Sequence, residues 1–533
     1  MKFTDDPLDD ESITVIGGGF GGLSAAAYLA QAGADVTVLE RNERLGGVAN
    51  RIERDGFRFD TGPSWYLMPD VFERFFEHFD REPDDYYTID QLDPHYRVFF
   101  TDSPPQPEKG APDSDEIDPV CDWVSTSPDR EQSREIFAAY EDGGGETFDA
   151  YLDEAEYAYE VGMEHFVYED RSRVRDMLDL DVARCGRGLS LLGSMQEHVE
   201  GYFDEPKLQQ LLQYTLVFLG GSPHNTPALY NLMAHVDYNL GVYYPEGGIY
   251  SVVEGIVELG REHGVGYRTS VEVTDIQNTA SGLVLQTTDG RSHTDVAVAN
   301  ANPAHVERDL LSPAERSHDP DYWDDRTYAP SALLWYLGVE GEVDPLAHHS
   351  LVFPEDWDPH FEQLFEDPQW PENPAYYLAV PSKTDDSVAP EGHHAVVILV
   401  PIAPGLDDGS ETRERYRDRL LNDLARNVGV DLRDRIVVEE SACVSEFADR
   451  FNYPQGTALG MAHTLTQTGP LRPSHRASKV EDLYYVGGYT NPGIGVPMTL
   501  ISGEQVADAV VEDRTGGGGR LDRVLGRSVP LSW

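Results

Sequence analysis

The sequence predicts an α/β protein with a Rossmann-like dinucleotide-binding domain, into which an α+β region and a helical region are inserted. Two observations carry this prediction. A β-branched strand, a glycine-rich turn and an Ala-rich helix follow one another within residues 12–32, and this order is typical of a nucleotide-binding βαβ unit. A second strand, glycine turn and helix lie at residues 483–512. Both ends of the chain therefore contribute to one domain.

The glycine turn near the N-terminus has the residues that a bound dinucleotide requires. The strand Ser12–Ile16 is followed by Gly17, Gly19 and Gly22 in a GxGxxG spacing, and Glu40 ends the next strand. These glycines allow a tight turn, close approach of the backbone to a pyrophosphate, and close packing of helix on strand. The helix N-terminus attracts the phosphate charge. An acid at position 40 favours a free ribose hydroxyl over the 2′-phosphate of NADP.

The interior of the chain predicts further elements. An acidic, Pro- and Ser-rich stretch at 102–135 predicts a solvated loop, interrupted by a short strand at 122–125. Residues 146–220 predict helices. The aromatic side chains at 148–168 and the run 211–219 either line a lipid-substrate tunnel or form ordinary helix core. The remaining predicted elements are helices at 249–263, 410–428 and 500–512 and strands at 96–101, 265–276, 283–287, 293–300 and 483–486.

The composition predicts a folded, very acidic protein. The chain has 533 residues, with 96 Asp and Glu against 40 Lys and Arg, a formal net charge of −56. Hydrophobic residues make up 40%, which excludes an acidic disordered chain. Nucleic acid is not an expected partner, because its phosphates need clustered cations. Such an acidic surface predicts a halophilic protein, since molar salt screens the self-repulsion of the fold.

The cysteines and the first residues predict a cytoplasmic location. Cys121, Cys185 and Cys443 are far apart and form no CxxC pair, so we expect reduced thiols. No HExxH or similar spacing occurs, and no metal site is predicted. Residues 1–11 are acidic and contain no apolar segment, which predicts no secretory signal. No run of 18 apolar residues occurs, so no membrane-spanning helix is expected.

Five segments then resemble a known family. They are ERNERLGG at 40–47, GFRFDTGPSW at 56–65, GVYYPEGG at 241–248, FNYPQGTALG at 451–460 and LYYVGGYTNPGIGVPMTLISG at 483–503. Together they resemble the flavin amine oxidase superfamily and, within it, the carotenoid desaturases of the bacterial phytoene desaturase type. The last segment is the most specific, because generic flavoproteins lack its PGxGxP core.

The resemblance implies FAD as the cofactor, held by both ends of the chain. Val273 would hold the adenine through its backbone, and residues 492–497 would wrap the ribityl chain and the isoalloxazine. The chain departs from the family at Asn42 and Val48, where relatives commonly carry Arg, so the ribose and pyrophosphate contacts stay open. The resemblance assigns no catalytic residue. The implied cofactor-binding residues are Gly17, Gly19, Phe20, Gly21, Gly22, Glu40, Arg41, Gly46, Gly47, Gly62, Pro63, Ser64, Val273, Gly487, Gly488, Pro492, Gly493, Val496 and Pro497.

The resemblance also implies a reaction and its partners. FAD would desaturate a linear carotenoid precursor of phytoene type by accepting a hydride. A long apolar polyene comes from a membrane, so we expect a cytoplasmic protein bound peripherally to the membrane through an apolar patch at 208–219 or 521–533. Oxygen and quinone both stay open as electron acceptor. Three alternatives also stay open: a carotenoid cis–trans isomerase using reduced FAD, an amine-oxidase-type flavoenzyme, and a non-catalytic protein that holds carotenoid or flavin.

The predicted organisation is interleaved. The FAD-binding domain is assembled from three separate parts, and the inserted regions face the substrate and the membrane. The predicted boundaries are 1–95 for the first FAD-binding part, 96–235 for the helical substrate region with the acidic loop 102–135, 236–304 for the second FAD-binding part, 305–440 for the α+β substrate domain, 441–515 for the third FAD-binding part and 516–533 for a flexible tail.

Overall fold

A computed structural model describes most of the chain. The described residues are 6–9, 11–101, 103–104, 120–169, 193–464 and 466–515, without the side chain of Phe218. The predicted tail at 516–533, residues 105–119 of the predicted acidic loop, and Cys185 lie outside the described residues.

The described strands are, in chain order, β1 (Ser12–Ile16), β2 (Asp35–Leu39), β3 (Arg51–Arg54), β4 (Phe57–Asp60), β5 (Ile89–Gln91), β6 (Tyr96–Phe100), β7 (Asp122–Thr126), β8 (Tyr243–Pro245), β9 (Gly266–Arg268), β10 (Val273–Thr279), β11 (Gly282–Thr287), β12 (Gly290–Thr294), β13 (Val296–Ala299), β14 (Ser331–Glu340), β15 (His349–Phe353), β16 (Tyr376–Ala379), β17 (His393–Ile402), β18 (Ile436–Ala442) and β19 (Leu483–Tyr485). The described α-helices of five or more residues are α1 (Phe20–Gln31), α2 (Pro69–His78), α3 (Arg130–Tyr140), α4 (Gly144–Gly162), α5 (Met195–Glu200), α6 (Pro206–Gln213), α7 (Ile249–Glu262), α8 (Pro320–Asp324), α9 (Asp358–Phe365), α10 (Ser410–Asp423), α11 (Val444–Phe451) and α12 (Val496–Arg514).

Five parallel strands form the sheet that carries the glycine turn. Their order is β19-β13-β1-β2-β9, and each neighbouring pair is parallel. The central strand β1 is buried over its last four residues, as expected for a parallel strand covered on both faces. Strands from the start, the middle and the end of the chain are thus neighbours, and their carboxyl ends share one edge.

Helices α1 and α12 pack closely against each other. A Cβ added to Gly503 would lie 2.4 Å from Oγ of Ser24, and this hydroxyl donates to the carbonyl of Leu500 over 2.8 Å. The predicted start of the last helix at residue 500 is wrong, because α12 begins at Val496. Pro497 falls within the first two helical positions, where proline is tolerated because its missing N–H has no intrahelical acceptor.

A second, seven-stranded sheet forms one wall of a cavity inside the protein. Its order is β18-β14-β17-β16-β15-β6-β7, antiparallel except for the pair β15 and β6. Leu334, Leu399, Tyr377 and Leu351 lie directly opposite one another across four adjacent strands. All four line the same cavity. One row of cross-strand neighbours therefore forms part of this cavity wall.

The loop predicted at 102–135 is wrong at its C-terminal end, where α3 begins at Arg130. The side chain of Asp129 accepts a hydrogen bond from the Glu131 N–H over 2.9 Å. An Asp of the acidic run thus caps a helix. The short strand predicted at 122–125 is present as β7, which is mostly buried against β6.

Three aromatic side chains of 148–168 belong to the core. Phe148 and Tyr151 are buried in one hydrophobic cluster and Tyr159 in another, while Tyr157 is 42% exposed. None of the aromatic residues at 148–168 lines the cavity, whereas Tyr214, Val217 and Leu219 of the 211–219 run do. The apolar patch expected at 208–219 is largely wrong, because Leu208, Leu211, Leu212 and Leu216 are buried.

The described part of the chain shows two absences and two free thiols. No helix there is long and apolar enough to cross a bilayer. No group of three or more His, Cys, Asp or Glu side chains there could hold a metal ion. Cys121 and Cys443 are buried free thiols.

The contact between α1 and α12 yields a prediction about stability. Gly503→Ala and Gly503→Val place one and three carbons against Ser24, so they lower the free energy of unfolding by increasing amounts, about 1–3 kcal/mol for Val. Urea unfolding at constant molar KCl measures both variants. Equal stability of Gly503→Val and the unmodified chain would contradict the packing described here.

Candidate functional site

The glycine turn joins the carboxyl end of β1 to α1. Gly17 has a φ of +100°, which few residues other than glycine adopt. A Cβ on Gly22 would lie 2.2 Å from the carbonyl oxygen of Gly17, so helix and turn touch through backbone. Gly19 is the N-cap residue of α1 and has no side chain to cap it. The N-terminus of α1 is therefore open to an anion such as a pyrophosphate.

Glu40 is held beside the turn by three hydrogen bonds. It is 4% exposed, and its Oε2 accepts from the Gly18 N–H over 2.8 Å. Its Oε1 accepts from the backbone N–H and the side-chain amide of Asn42, over 2.8 and 2.7 Å. Asn42, one of the two departures from the family pattern, thus fixes the acid that is expected to meet the ribose.

Two predicted residues lie near Glu40 and outside the cavity. Arg41 lies 3.7 Å from Oε1 of Glu272 and donates to the carbonyl of Asp449. Val273 begins β10, two residues after Val271, whose N–H donates to the Glu40 carbonyl over 2.9 Å. Neither side chain lines the cavity, and their contacts with the adenosine part of FAD stay a prediction.

Two further glycine segments complete the N-terminal half of the site. The Gly46 N–H donates to the Gly18 carbonyl over 2.7 Å, which places Gly46 and Gly47 against the glycine turn. A Cβ on Gly62 would lie 2.3 Å from the carbonyl oxygen of Val48, so residues 62–64 begin directly beside the segment 46–48. These close backbone contacts form a cradle made of residues 17–22, 46–48 and 62–64. Added side chains would fill it.

The C-terminal loop meets the N-terminal turn directly. A Cβ on Gly21 would lie 3.0 Å from Cα of Gly487. The amide of Asn300, directly after β13, fills the remaining space: its Oδ1 would lie 2.9 Å from a Cβ on Gly21 and 2.8 Å from one on Gly487. Sequence reasoning missed Asn300. The available signal was its position at the carboxyl end of a central parallel strand, where ligands bind in such sheets.

His463 fixes the part of the C-terminal loop that leads into α12. Its Nε2 accepts from the Ile494 N–H over 3.1 Å, and its Nδ1 lies 2.7 Å from the Tyr230 hydroxyl. Burial, assisted by Arg472, holds the pKa of His463 well below its ordinary value, which keeps the ring neutral. A Cβ on Gly493 would lie 2.2 Å from this Nε2. His463 is thus a hydrogen-bonded structural residue, as its position in a segment of the resemblance predicts.

A cavity of about 500 Å³ extends from the two loops along the seven-stranded sheet. Beyond the loops, its walls are aliphatic and aromatic, and within the described part of the chain no Asp, Glu, Lys or Arg side chain lines it. The two lining histidines are neutral, because burial lowers the pKa of His463 and brings that of His360 to about 4. The predicted residues that line the cavity are Gly19, Phe20, Gly21, Gly46, Gly47, Gly62, Pro63, Ser64, Gly488, Pro492, Val496 and Pro497.

One chain of polar groups leads out of this apolar cavity. Oγ of Ser64 lies 2.9 Å from the Tyr377 hydroxyl, and that hydroxyl lies 2.7 Å from Nδ1 of His349. The His349 ring stacks on Trp65 with centroids 4.2 Å apart. Its Nε2 has no hydrogen-bond partner among the described residues. Burial holds the pKa of His349 well below its ordinary value, so a neutral imidazole stands behind a cavity hydroxyl.

These features fit FAD. The glycine cradle at α1 suits a pyrophosphate, Glu40 suits a ribose, and the first turn of α12 faces the cavity through Val496 and Pro497. The N-terminus of that long helix favours negative charge. An apolar cavity with few polar groups suits a flat aromatic ring and an apolar partner.

Comparison with known proteins decides the family. Residues 20–511 match the family described as flavin containing amine oxidoreductase. The chain belongs to this family. Membership confirms the predicted fold class, FAD as the cofactor and the expectation that the chain is an oxidoreductase. The predicted residue-by-residue contacts with FAD and the domain boundaries stay predictions.

Relatives of this flavin-containing amine oxidoreductase include enzymes named for carotenoids. The chain is 58% identical over 508 residues to the carotenoid 3,4-desaturase of Haloarcula japonica, covering 95% of this chain and 99% of that protein. It is 31% identical to the zeta-carotene-forming phytoene desaturase of Myxococcus xanthus, covering 94% and 93%. It is 33% identical to the 4,4′-diapolycopene oxygenase of a Methylomonas species, covering 95% and 99%.

Solved structures support the fold alone. An oxidoreductase from Methanosarcina mazei superposes with a TM-score of 0.57 at 17% identity, covering 93% of this chain and 99% of that one. Putrescine oxidase bound to putrescine superposes with a TM-score of 0.57 at 13% identity, covering 94% and 99%.

The loop around Gly493 yields a prediction about the cofactor. Gly493 has a φ of +133° and no room for a Cβ beside His463, so Gly493→Ala strains the loop by about 1–3 kcal/mol. We expect the FAD content of the purified variant to fall by about tenfold or more. The ratio of flavin absorbance at about 450 nm to protein absorbance measures this content.

Gly409→Ala is the matched control for this substitution. Gly409 has a φ of −54°, and the nearest atom to an added Cβ is 3.8 Å away. This variant should keep its full FAD content. Equal FAD content in both variants would show that the loop around Gly493 does not hold the cofactor.

Proposed function

We propose that the chain is an FAD-dependent carotenoid desaturase that forms the double bond between C3 and C4, near one end of a linear polyene. The observation that supports this most is the cavity, which begins at the cofactor loops and has no charged side chain among its described lining residues. A hydrocarbon substrate offers no polar handle, so the shape of an apolar wall must select it. The similarity to a carotenoid 3,4-desaturase supports the position of the bond.

The cavity favours this function over an amine oxidase. An amine substrate is a cation at neutral pH, and its burial is costly without a carboxylate to balance the charge. The described cavity wall provides neither an Asp nor a Glu side chain.

Bound FAD supplies a two-electron acceptor for the hydride that leaves the first carbon. The chain itself must take the proton from the neighbouring carbon, whose C–H electron pair becomes the new π bond. Tyr377 is the residue we assign to this step. Its Oη accepts the proton while its own hydroxyl proton passes to Nδ1 of His349, 2.7 Å away. Because burial holds the pKa of His349 low, the proton does not stay on the imidazole. It returns through the Tyr377 hydroxyl to the Ser64 hydroxyl, which lines the cavity, and leaves when solvent replaces the product.

The experiment that tests the function is a product analysis. The purified holoprotein in molar KCl is mixed with lipid-dispersed linear carotenoids under anaerobic conditions. Desaturation bleaches the flavin, lowers the product mass by two hydrogen atoms and shifts the polyene absorption to longer wavelength. Product of unchanged mass and altered geometry would support the isomerase instead. Unbleached flavin and unchanged carotenoid would contradict the desaturase, and unchanged carotenoid geometry after chemical reduction of the flavin would contradict the isomerase. Reoxidation by oxygen or by a quinone, compared in the same preparation, identifies the electron acceptor.

Tyr377→Phe tests the proposed proton acceptor. Removal of a general base slows a reaction by about 100-fold or more, so we expect turnover to fall by that amount at unchanged FAD content. The matched control is Tyr376→Phe on the same strand, whose hydroxyl donates to Asp423 over 2.8 Å and takes no part in the Ser64–Tyr377–His349 chain. Equal turnover of Tyr377→Phe and the unmodified enzyme would remove Tyr377 from the mechanism.

We also propose that the substrate enters from a membrane surface. Leu459 lines the cavity and is nevertheless 39% exposed, and Val217 and Leu219, which also line it, are partly exposed. These residues define an apolar rim through which a polyene could pass without crossing water. The acidic surface does not prevent docking where molar salt screens it.

Leu459→Asp tests this rim. Burial of a leucine contributes about 1.5–3 kcal/mol, so we expect binding to neutral phosphatidylcholine vesicles in molar KCl to weaken by about tenfold or more. Val437→Asp is the control, since Val437 is 53% exposed on β18 and does not line the cavity. Co-sedimentation measures both. Equal loss in the two variants would mean that added charge, rather than the rim, controls binding.

A further inference from the structure

Arg472 is a buried cation whose hydrogen-bond partners are backbone carbonyls. Only 4% of the Arg472 surface is exposed. Its Nε donates to Thr490 over 3.2 Å and its Nη1 to Gln467 over 3.0 Å. Its Nη2 donates to Met461 over 2.8 Å and to Gly488 over 2.7 Å. One guanidinium thus binds carbonyls in several segments of the loops around the cofactor site.

The charge of Arg472 has no carboxylate to balance it in the described part of the chain. The neighbouring groups that act on it electrostatically are the tyrosines Tyr230, Tyr489 and Tyr322. Arg413 is a useful contrast, because it is also largely buried but pairs with Asp408 and Glu446 over 2.5 and 2.6 Å. Burial lowers the pKa of Arg472 to about 10, so the guanidinium is still charged at neutral pH.

A buried charge that is paired only with dipoles is costly unless an opposite charge completes it. The position of Arg472 indicates where that charge comes from. Gly488, whose carbonyl it binds, lines the cavity, so the cation lies one peptide group behind the wall. The carbonyl of Met461, another acceptor of Arg472, lies two residues before His463. His463 in turn accepts from the Ile494 N–H. The nearby N-terminus of α12 adds partial positive charge.

We propose that Arg472 stabilises the negative charge that the isoalloxazine of FAD gains on reduction. A hydride brings two electrons and one proton, so reduction adds one unit of negative charge to the ring system. A fixed cation behind the cavity wall favours this charged form and raises the reduction potential. Arg472 is a positioning residue, because its charge acts across the cavity wall. Its role depends on the bound flavin and not on which carotenoid is the substrate. A strongly oxidising flavin suits the removal of hydride from a hydrocarbon.

The experiment compares Arg472→Met, which removes the charge, with Arg472→Lys, which keeps it. Sulfite adds to oxidised flavin and leaves the ring negatively charged, so its dissociation constant reports the same stabilisation without turnover. In holoprotein at constant molar KCl, we expect Arg472→Met to weaken sulfite binding by about tenfold or more and to lower the reduction potential measured by dye equilibration. Arg472→Lys should restore most of both.

Two results would overturn the proposal. One is Arg472→Met protein that retains FAD with the sulfite affinity of the unmodified chain. The other is Arg472→Lys protein that loses as much affinity as Arg472→Met, since that outcome assigns Arg472 to loop geometry alone. If Arg472→Met yields no folded holoprotein, the unmodified chain decides. It should bind sulfite at least about 100-fold more tightly than free FAD in the same buffer, and binding no tighter than free FAD would refute the assignment.

Discussion

The site depends on a backbone contact between two loops that have almost no side chains. Gly21 and Gly487 approach so closely that a Cβ on the first would lie 3.0 Å from Cα of the second, and Asn300 fills the space left beside them. A larger residue at either position would separate β1 and α1 from β19 and α12. The parallel sheet, the helix contact at Gly503 and the cofactor cradle all require these loops to remain together.

The charge distribution separates the surface from the cavity. The chain carries a net charge of −56, yet no described residue of the cavity wall is an Asp, Glu, Lys or Arg. Arg472, whose guanidinium binds the Gly488 carbonyl, lies behind this wall. The acids are therefore excluded from the described cavity wall, which follows the requirements of an apolar ligand.

Local signals made much of this structure predictable. The GxGxxG turn, Glu40 and the C-terminal glycine loop each occupy a short stretch in which spacing and element order carry the information. Asn300 was marked only by its place at the end of a central strand. No local signal marks Arg472 or the Ser64–Tyr377–His349 chain, because their partners lie far away along the chain and only the fold brings them together. The start of α3 failed for a different reason: Asp129 caps a helix, but in an acidic run it is indistinguishable from a loop residue.

The shared sheet also bears on how the protein is made. Strand β19 pairs with β13, and its loop closes on a turn that was synthesised more than four hundred residues earlier. Chains emerge from the ribosome at about 5–20 residues per second, so the N-terminal glycine turn waits tens of seconds for its partner. The nascent protein cannot enclose FAD during that interval. The enclosure of FAD by both loops is therefore a step that follows the synthesis of the C-terminal loop.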